Sequence, residues 1–180
     1  MSVTASADDT IRLRVARRRD DVFAAQVEEL FRRCERRIGK YLVQMVGDRG
    51  LAEDLLQDVF YDAFRVREQL QDVRSAEAWL FGIARNRALN ALRRGRRLQA
   101  ALTRLARPSV SSEPDHELFA LRDLLERHVT PEDRSLLILR YLHGFDACEL
   151  GEMTGRSAEA VRQRLARARA KLIAAAAEED

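Results

Sequence analysis

The stretch WLFGIARNRALNALRRGRR, Trp79 to Arg97, carries the residues best suited to chemistry. It holds the chain's single Trp, with Asn86 and Asn90 one helical turn apart and six Arg. An Asn amide donates and accepts at once, and guanidinium groups bind phosphate oxygens as charged forks. Asn86 and Asn90 thus lie on a heavily cationic stretch of the kind that meets a polyanion. A second such set lies in EAVRQRLARARAKL, Glu159 to Leu172. There Arg162 and Gln163 match base edges, and Arg164, Arg167 and Arg169 match phosphates. Enzymatic chemistry finds no comparable set. His116, His128 and His143 have no carboxylate or Ser partner at motif spacing. His143 and Cys148 are two ligand types where a zinc site needs about four. No Gly-rich phosphate loop is present. The sequence predicts no catalytic residues, no metal and no cofactor.

Charge is segregated along the chain. From Arg85 to Arg107 there are eight Arg and no acid, and from Arg156 to Lys171 six bases against one acid, Glu159. Between Arg49 and Asp72 the sign reverses, with six acids against three Arg, and again between Glu113 and Asp133, with seven acids against two. A single charged run is usually a solvated helix face. Two basic blocks at the ends of two similar units, separated by acidic ones, point to two contacts with a polyanion and other surfaces left for protein.

The elements that must position these residues are helices. Of the 180 residues, 46% are apolar and 6% aromatic, with 8 Gly and 3 Pro. Few breakers and abundant Ala, Leu, Arg and Glu predict an all-α chain of two small helical domains joined by a linker. Residues 1–20 read as a polar tail. Helical spacing predicts a first helix from about Asp21 to Val46, a second from Leu51 to Val66, and a third over 76–94, with a loop at 67–74. The apolar side of the third, Leu80, Ile83, Ala84 and Ala91, is expected to pack on the first two. The first unit spans 21–97. Residues 98–113, with Pro108 and Pro114 near Ser and Val, read as the linker. A second unit over 114–180 is expected to hold helices at 115–128, 131–142, 146–153 and 157–175. Thr130-Pro131-Glu132-Asp133 is a helix start with an N-cap, Pro at the first position and acids in the first turn.

The last two helices form a helix-turn-helix. Gly155 supplies the positive φ that such a short turn needs, and Ser157 caps the second helix. Leu150 and Met153 on the first helix, and Val161, Leu165, Ala168 and Leu172 on the second, are expected to face inward. Glu159, Arg162 and Gln163 are left outward, as required for a helix lying in a major groove about 12 Å wide.

LAEDLLQDVFYDAFR (51–65) followed by WLFGIARNRALNALRR (79–94) resembles the second conserved region of bacterial sigma factors. VTPEDRSLLILRYLHGFDACELGEMTGRSAEAVRQRLARARAKL (129–172) resembles their fourth region. The order, with a short linker and nothing else of size, resembles the extracytoplasmic-function class of the sigma-70 family. This resemblance implies an alternative sigma factor that binds core RNA polymerase, recognises the minus-thirty-five and minus-ten promoter elements and helps to melt DNA. It also implies an anti-sigma partner. Asp54, Gln57 and Asp58 match the positions that dock on the polymerase clamp. Asn86 matches a reader of the minus-ten element, with Asn90, Arg85, Arg93 and Arg94 alongside. Trp79 matches an aromatic near the melted strand and answers equally to a core-capping aromatic. Ser157, Glu159, Arg162, Gln163, Arg164 and Arg167 match the minus-thirty-five surface. The chain departs from many relatives at Ala76, where an aromatic is common, and at Ala166, where a larger side chain is common. The shape of the pocket for a flipped base and some upstream contacts are therefore left open.

Two other readings compete. A one-component regulator would use its first unit to dimerise on palindromic DNA. A sigma-like decoy would bind an anti-sigma protein and no promoter, yet both basic faces are intact. No run of about 18 apolar residues is present, the N-terminus lacks a secretory signal, and two distant Cys make no disulfide framework. These features predict a cytoplasmic protein without membrane contact.

Overall fold

The computed structural model describes residues 7–102 and 125–179. The described residues are helical, in the order α1 (Ala7–Val46), α2 (Arg49–Arg65), a short 3-10 helix (Arg67–Asp72), α3 (Ala76–Leu102), α4 (Pro131–Tyr141), α5 (Ala147–Thr154) and α6 (Ala158–Glu179). Residues 125–128 are also helical. The helix expected over 115–128 otherwise lies outside the described residues, as does most of the expected linker. Two boundaries differ from expectation. Helix α1 begins at Ala7, not near Asp21, and α3 runs on to Leu102 through the start of the expected linker. Polar, Arg-rich sequence has no apolar stripe to signal a helix, yet Arg and Ala propagate one well. The loop expected at 67–74 is largely the 3-10 helix.

Local chemistry sets most of the other ends. The Asp48 carboxylate accepts from Leu51 N at 2.8 Å and caps α2. Ser75 Oγ accepts from Ala78 N at 3.2 Å before α3, and Thr130 Oγ1 accepts from Asp133 N at 3.2 Å before α4. Each satisfies an N–H that the first turn leaves without a partner.

Helices α1, α2 and α3 pack mutually, and α4, α5 and α6 form the second unit. The two units are not separate in this structure. One contiguous apolar core runs through both, including Ile38, Tyr41, Leu42, Val59, Leu80 and Phe81 from the first and Leu136, Leu139, Phe145 and Leu150 from the second. Helix α3 lies between the units, against α1 and α2 on one side and α4 and α5 on the other. Its buried stripe is accordingly wider than predicted. Ala78, Leu80, Phe81, Ala84, Ala88 and Leu89 are buried, while Ile83 and Ala91 are only half-buried.

Polar ties cross the same boundary. Tyr41 Oη and Ser135 Oγ lie 2.8 Å apart in the core, and burial lifts the Tyr41 phenol to about 12. The Arg134 guanidinium, 2% exposed, donates to the Met45 carbonyl at 2.7 Å and pairs with Glu126. Met45 lies in the last turn of α1, where backbone carbonyls lack helical partners, so a residue of α4 completes the end of α1. Arg37 donates to the His143 carbonyl at 2.9 Å and also pairs with Glu77.

Candidate nucleic-acid interface

The helix-turn-helix is built by backbone rules. Asp146 caps α5 through the N–H groups of Cys148 and Glu149, and Glu149 returns a carboxylate to Asp146 N at 2.9 Å, a complete capping box. Helix α5 ends on Gly155 at φ 65°, the left-handed conformation expected of it. Ser157 Oγ accepts from Ala160 N at 3.2 Å and starts α6. Gly151 is a second required glycine that the sequence reading missed. A Cβ there would stand 2.6 Å from the Arg156 carbonyl oxygen, where the chain turns back onto α5. The signal was a Gly inside a helical stretch, which often marks close backbone approach.

Val161, Leu165 and Ala168 of α6 are buried as expected, and Leu172 is half-buried. Leu150 is buried, and half-buried Met153 packs against the same core and on Gly82 of α3. The inward side of α5 thus meets apolar surface of the first unit as well as of its own.

Glu159, Arg162, Gln163 and Arg167 are exposed on α6. Arg162 Nε and Gln163 Nε2 both donate to the Glu159 carboxylate, at 3.1 and 3.2 Å. The Arg162 bond, followed by that of Gln163, holds the Glu159 carboxyl below the usual range. Glu159 thus orients the two expected base readers. Arg164 behaves differently. It is a quarter exposed and pairs with Asp133 of α4, so it ties α6 to α4 as well as flanking the groove formed by Arg156, Gln163, Arg167 and Lys171.

In the first unit Asn86, Asn90 and Arg94 are exposed, and Trp79 is half-buried. Asn90 Oδ1 accepts from Arg93 at 3.3 Å. Asn86 opens onto two clefts. One is shared with Asp58, Asp62, Arg87, Asn90 and Arg94. The other is shared with Trp79 and, across the boundary, Glu152 and Met153. Arg93 reaches Glu132 of the second unit at 3.0 Å.

Arg85 is corrected outright in its placement. It was expected on the outward side, but it is 9% exposed and faces the second unit. Burial lowers its pKa, and its Nε has no partner among the described residues. The expectation assumed that the face of α3 opposite α1 and α2 meets only solvent.

Asp54, Gln57 and Asp58 are exposed on α2. Asp58 accepts from Arg87 at 3.1 Å, and Arg87 Nε also donates to Asp62 at 2.6 Å. That bond, more than the nearby charges, lowers the Asp62 pKa, and it raises that of Arg87. Arg87 had been counted only among the basic run.

The Sigma-70 region 2 profile matches residues 30–98, and the Sigma-70 region 4 profile matches residues 127–173. The chain belongs to the extracytoplasmic-function class of the sigma-70 family. It is 34% identical to the RNA polymerase sigma factor CarQ of Myxococcus xanthus over 81% of this chain and 86% of that one. It is 31% identical to the ECF RNA polymerase sigma factor SigC of Mycobacterium tuberculosis over 77% of each. In fold it is similar to the sigma factor RpoE of Bartonella quintana, solved in complex with the anti-sigma factor NepR, at 23% identity and a TM-score of 0.66 over 81% of this chain and 92% of that chain. It is also similar to CnrH, solved with the cytosolic domain of CnrY, at 24% identity and a TM-score of 0.64 over 89% and 99%. As a sigma factor, the protein carries region 2 on α1–α3 and region 4 on α4–α6. Among the described residues no helix is long and apolar enough to cross a membrane.

Proposed function

We propose that this sigma factor uses α2 to dock on core RNA polymerase, α3 to read and melt the minus-ten element, and α6 to read the minus-thirty-five element. The reading works in the cytoplasm, without catalysis of its own. The observation that carries it is the helix-turn-helix of region 4. Its Gly155 turn, its Ser157 cap and its outward Arg162, Gln163 and Arg167 make a groove-reading helix. On α3, Asn86 and Asn90 offer amides to base edges, and Arg94 is free to meet phosphate. On α2, exposed Asp54, Gln57 and Asp58 form an acidic face that repels DNA and suits a basic protein surface. Control by an anti-sigma factor is supported by the similar fold of a sigma factor solved with the anti-sigma factor NepR.

The test is holoenzyme formation. Asp54→Arg with Asp58→Arg reverses the acidic face at exposed positions, so each unit should keep its fold. Capture of core polymerase should fall about tenfold or more, because like charges brought together at an interface cost several kcal/mol. Unchanged capture would remove α2 as the dock.

A further inference from the structure

Helix α6 carries one acid on a stretch otherwise built for a polyanion. Between Arg156 and Lys171 there are six bases and one acid, Glu159. It is exposed in the first turn of α6. A carboxylate there favours the helix dipole, but on a surface that meets phosphates it lowers the affinity for every duplex. Its bonds are those of a paired reader. Arg162 turns one side of its guanidinium to it, with Nε at 3.1 Å and Nη2 at 3.0 Å from the same oxygen, Oε2. Gln163 Nε2 donates to the other oxygen at 3.2 Å and steadies the carboxylate. The side chains of Arg162 and Glu159 nevertheless stay 59% and 62% exposed. Both keep unused capacity, because a guanidinium has five N–H donors and a carboxylate about four lone-pair sites. Arg162 retains Nη1 and one N–H of Nη2, an end that can make two parallel bonds, and Glu159 retains acceptor sites open to solvent.

We infer that Glu159 is a specificity-determining residue, and that together with Arg162 it reads a single G·C base pair in the major groove. This rests on α6 being the minus-thirty-five helix, as proposed above. A G·C pair shows two acceptors, guanine N7 and O6, beside one donor, cytosine N4. Arg162 and Glu159 offer the complement, two donors beside one acceptor. Guanine lies under Arg162, and cytosine, on the opposite strand, lies under Glu159. An A·T pair shows acceptor, donor, acceptor along the same edge. An Arg162 donor then meets the adenine amino group, and the carboxylate meets thymine O4. A C·G pair reverses the order and opposes like groups in the same way. Opposed like groups are how an interface rejects a wrong partner. Glu159 thus gives up affinity for DNA in general and gains discrimination at one position.

The test compares Glu159→Ala and Arg162→Ala with wild type, each as the full chain in holoenzyme with core RNA polymerase. Each holoenzyme transcribes a pooled genomic promoter library, and the transcripts are sequenced and aligned on the DNA upstream of their starts. In parallel, each full chain is titrated with a random-sequence duplex at several salt concentrations. Wild type should select G·C at one upstream position. Both variants should lose that preference about tenfold, at the same position, and keep the others. Their affinities for the random duplex should move in opposite directions. Arg162→Ala should bind it more weakly. Glu159→Ala should bind it about twofold more tightly or better, with a salt slope steeper by about one unit, because Arg162 is released to meet phosphate. A Glu159 that only favoured the helix dipole would give no such gain, and a misfolded variant cannot give one. Preferences lost at two different positions, an unchanged preference in Glu159→Ala, or random-duplex binding by it that is no tighter than wild type overturns the inference. If the wild-type holoenzyme transcribes with no upstream preference at all, the reading of α6 as the minus-thirty-five helix falls instead.

Discussion

His143 should make the folded chain lose stability as the medium becomes mildly acidic. The sequence marked it as an ordinary helix residue. The structure places it after α4, at the contact between the units. Its ring stands edge-on to Tyr41 at 5.8 Å and tilted to Phe81 at 5.2 Å, and a ring nitrogen lies 3.3 Å from Gln44 Oε1. The charged groups facing it are cations, Arg37 and Lys40 of α1. Burial first, then these two charges, push it down from 6.5 to about 4. The sign follows from proton counting. Above pH 6.5 the ring is neutral in both folded and unfolded chains, and its packing costs nothing in protonation. As the pH falls from 6.5 toward 4, the unfolded chain takes up a proton that the folded chain refuses, so stability is lost through that window. The full depression is worth roughly 3 kcal/mol, and about 2 kcal/mol should be gone by pH 5. Urea unfolding at intervals from pH 8 to 5 should show this loss in wild type and a nearly flat profile in His143→Gln. Carboxylates with lowered pKa, such as Asp62 and Glu132, titrate lower and act alike in both proteins. An equal slope in the two proteins between pH 6.5 and 5 would refute the reasoning.

Gly151→Ala should lower stability by about 1–3 kcal/mol, because its Cβ overlaps a backbone carbonyl that cannot move without opening the turn; an unchanged melting temperature would contradict this. Asn86→Ala should impair promoter opening by about 1–3 kcal/mol while leaving core polymerase capture intact; permanganate footprinting of the melted strand against pull-down separates the two effects. Gln163→Ala should change which upstream sequences are preferred, whereas Arg167→Ala should weaken all duplexes alike and reduce the salt slope by about one unit. Titration of duplex variants at several salt concentrations distinguishes them, and the reverse pattern would mean that α6 docks at another angle.

Much of the fold was legible because helix ends are written in short-range chemistry. Thr130 before Pro131, Gly155 before Ser157, and Ser75 before Ala78 each satisfy specific backbone groups, and the structure places a cap or turn at each. The missed features depend on what lies across space. Nothing near Met153 in sequence says that Gly82 will face it. Arg134 and Ser135 sit in a helix that starts with strong signals, yet their burial follows only from docking on the end of α1. For the proposed DNA-reading residues, the exposure of Asn86, Arg162 and Gln163 was legible from their helix positions. Arg85 was not, because a helix packed on two sides has no outward face at that point.

The basic run of α3 shows why charge counts overstate DNA-facing cations. Successive helical residues are rotated by about 100°, so residues two apart point to well-separated sides. Arg85 is buried toward region 4. Arg87 turns to α2 and bridges Asp58 and Asp62. Arg93 meets Glu132, and Arg94, Arg96 and Arg97 remain exposed. One run of like charge is thereby divided among a helix-to-helix tie, a contact between the units and a solvent-facing cationic surface. The first use has its own consequence. Asp58 belongs to the proposed polymerase-docking face, and Arg87 follows Asn86 directly. A basic polymerase group that takes Asp58 competes with Arg87 for the same carboxylate. On the proposed docking, the Arg87–Asp58 pair would link the contact made by α2 to the charge beside Asn86, with Asp62 still holding Arg87.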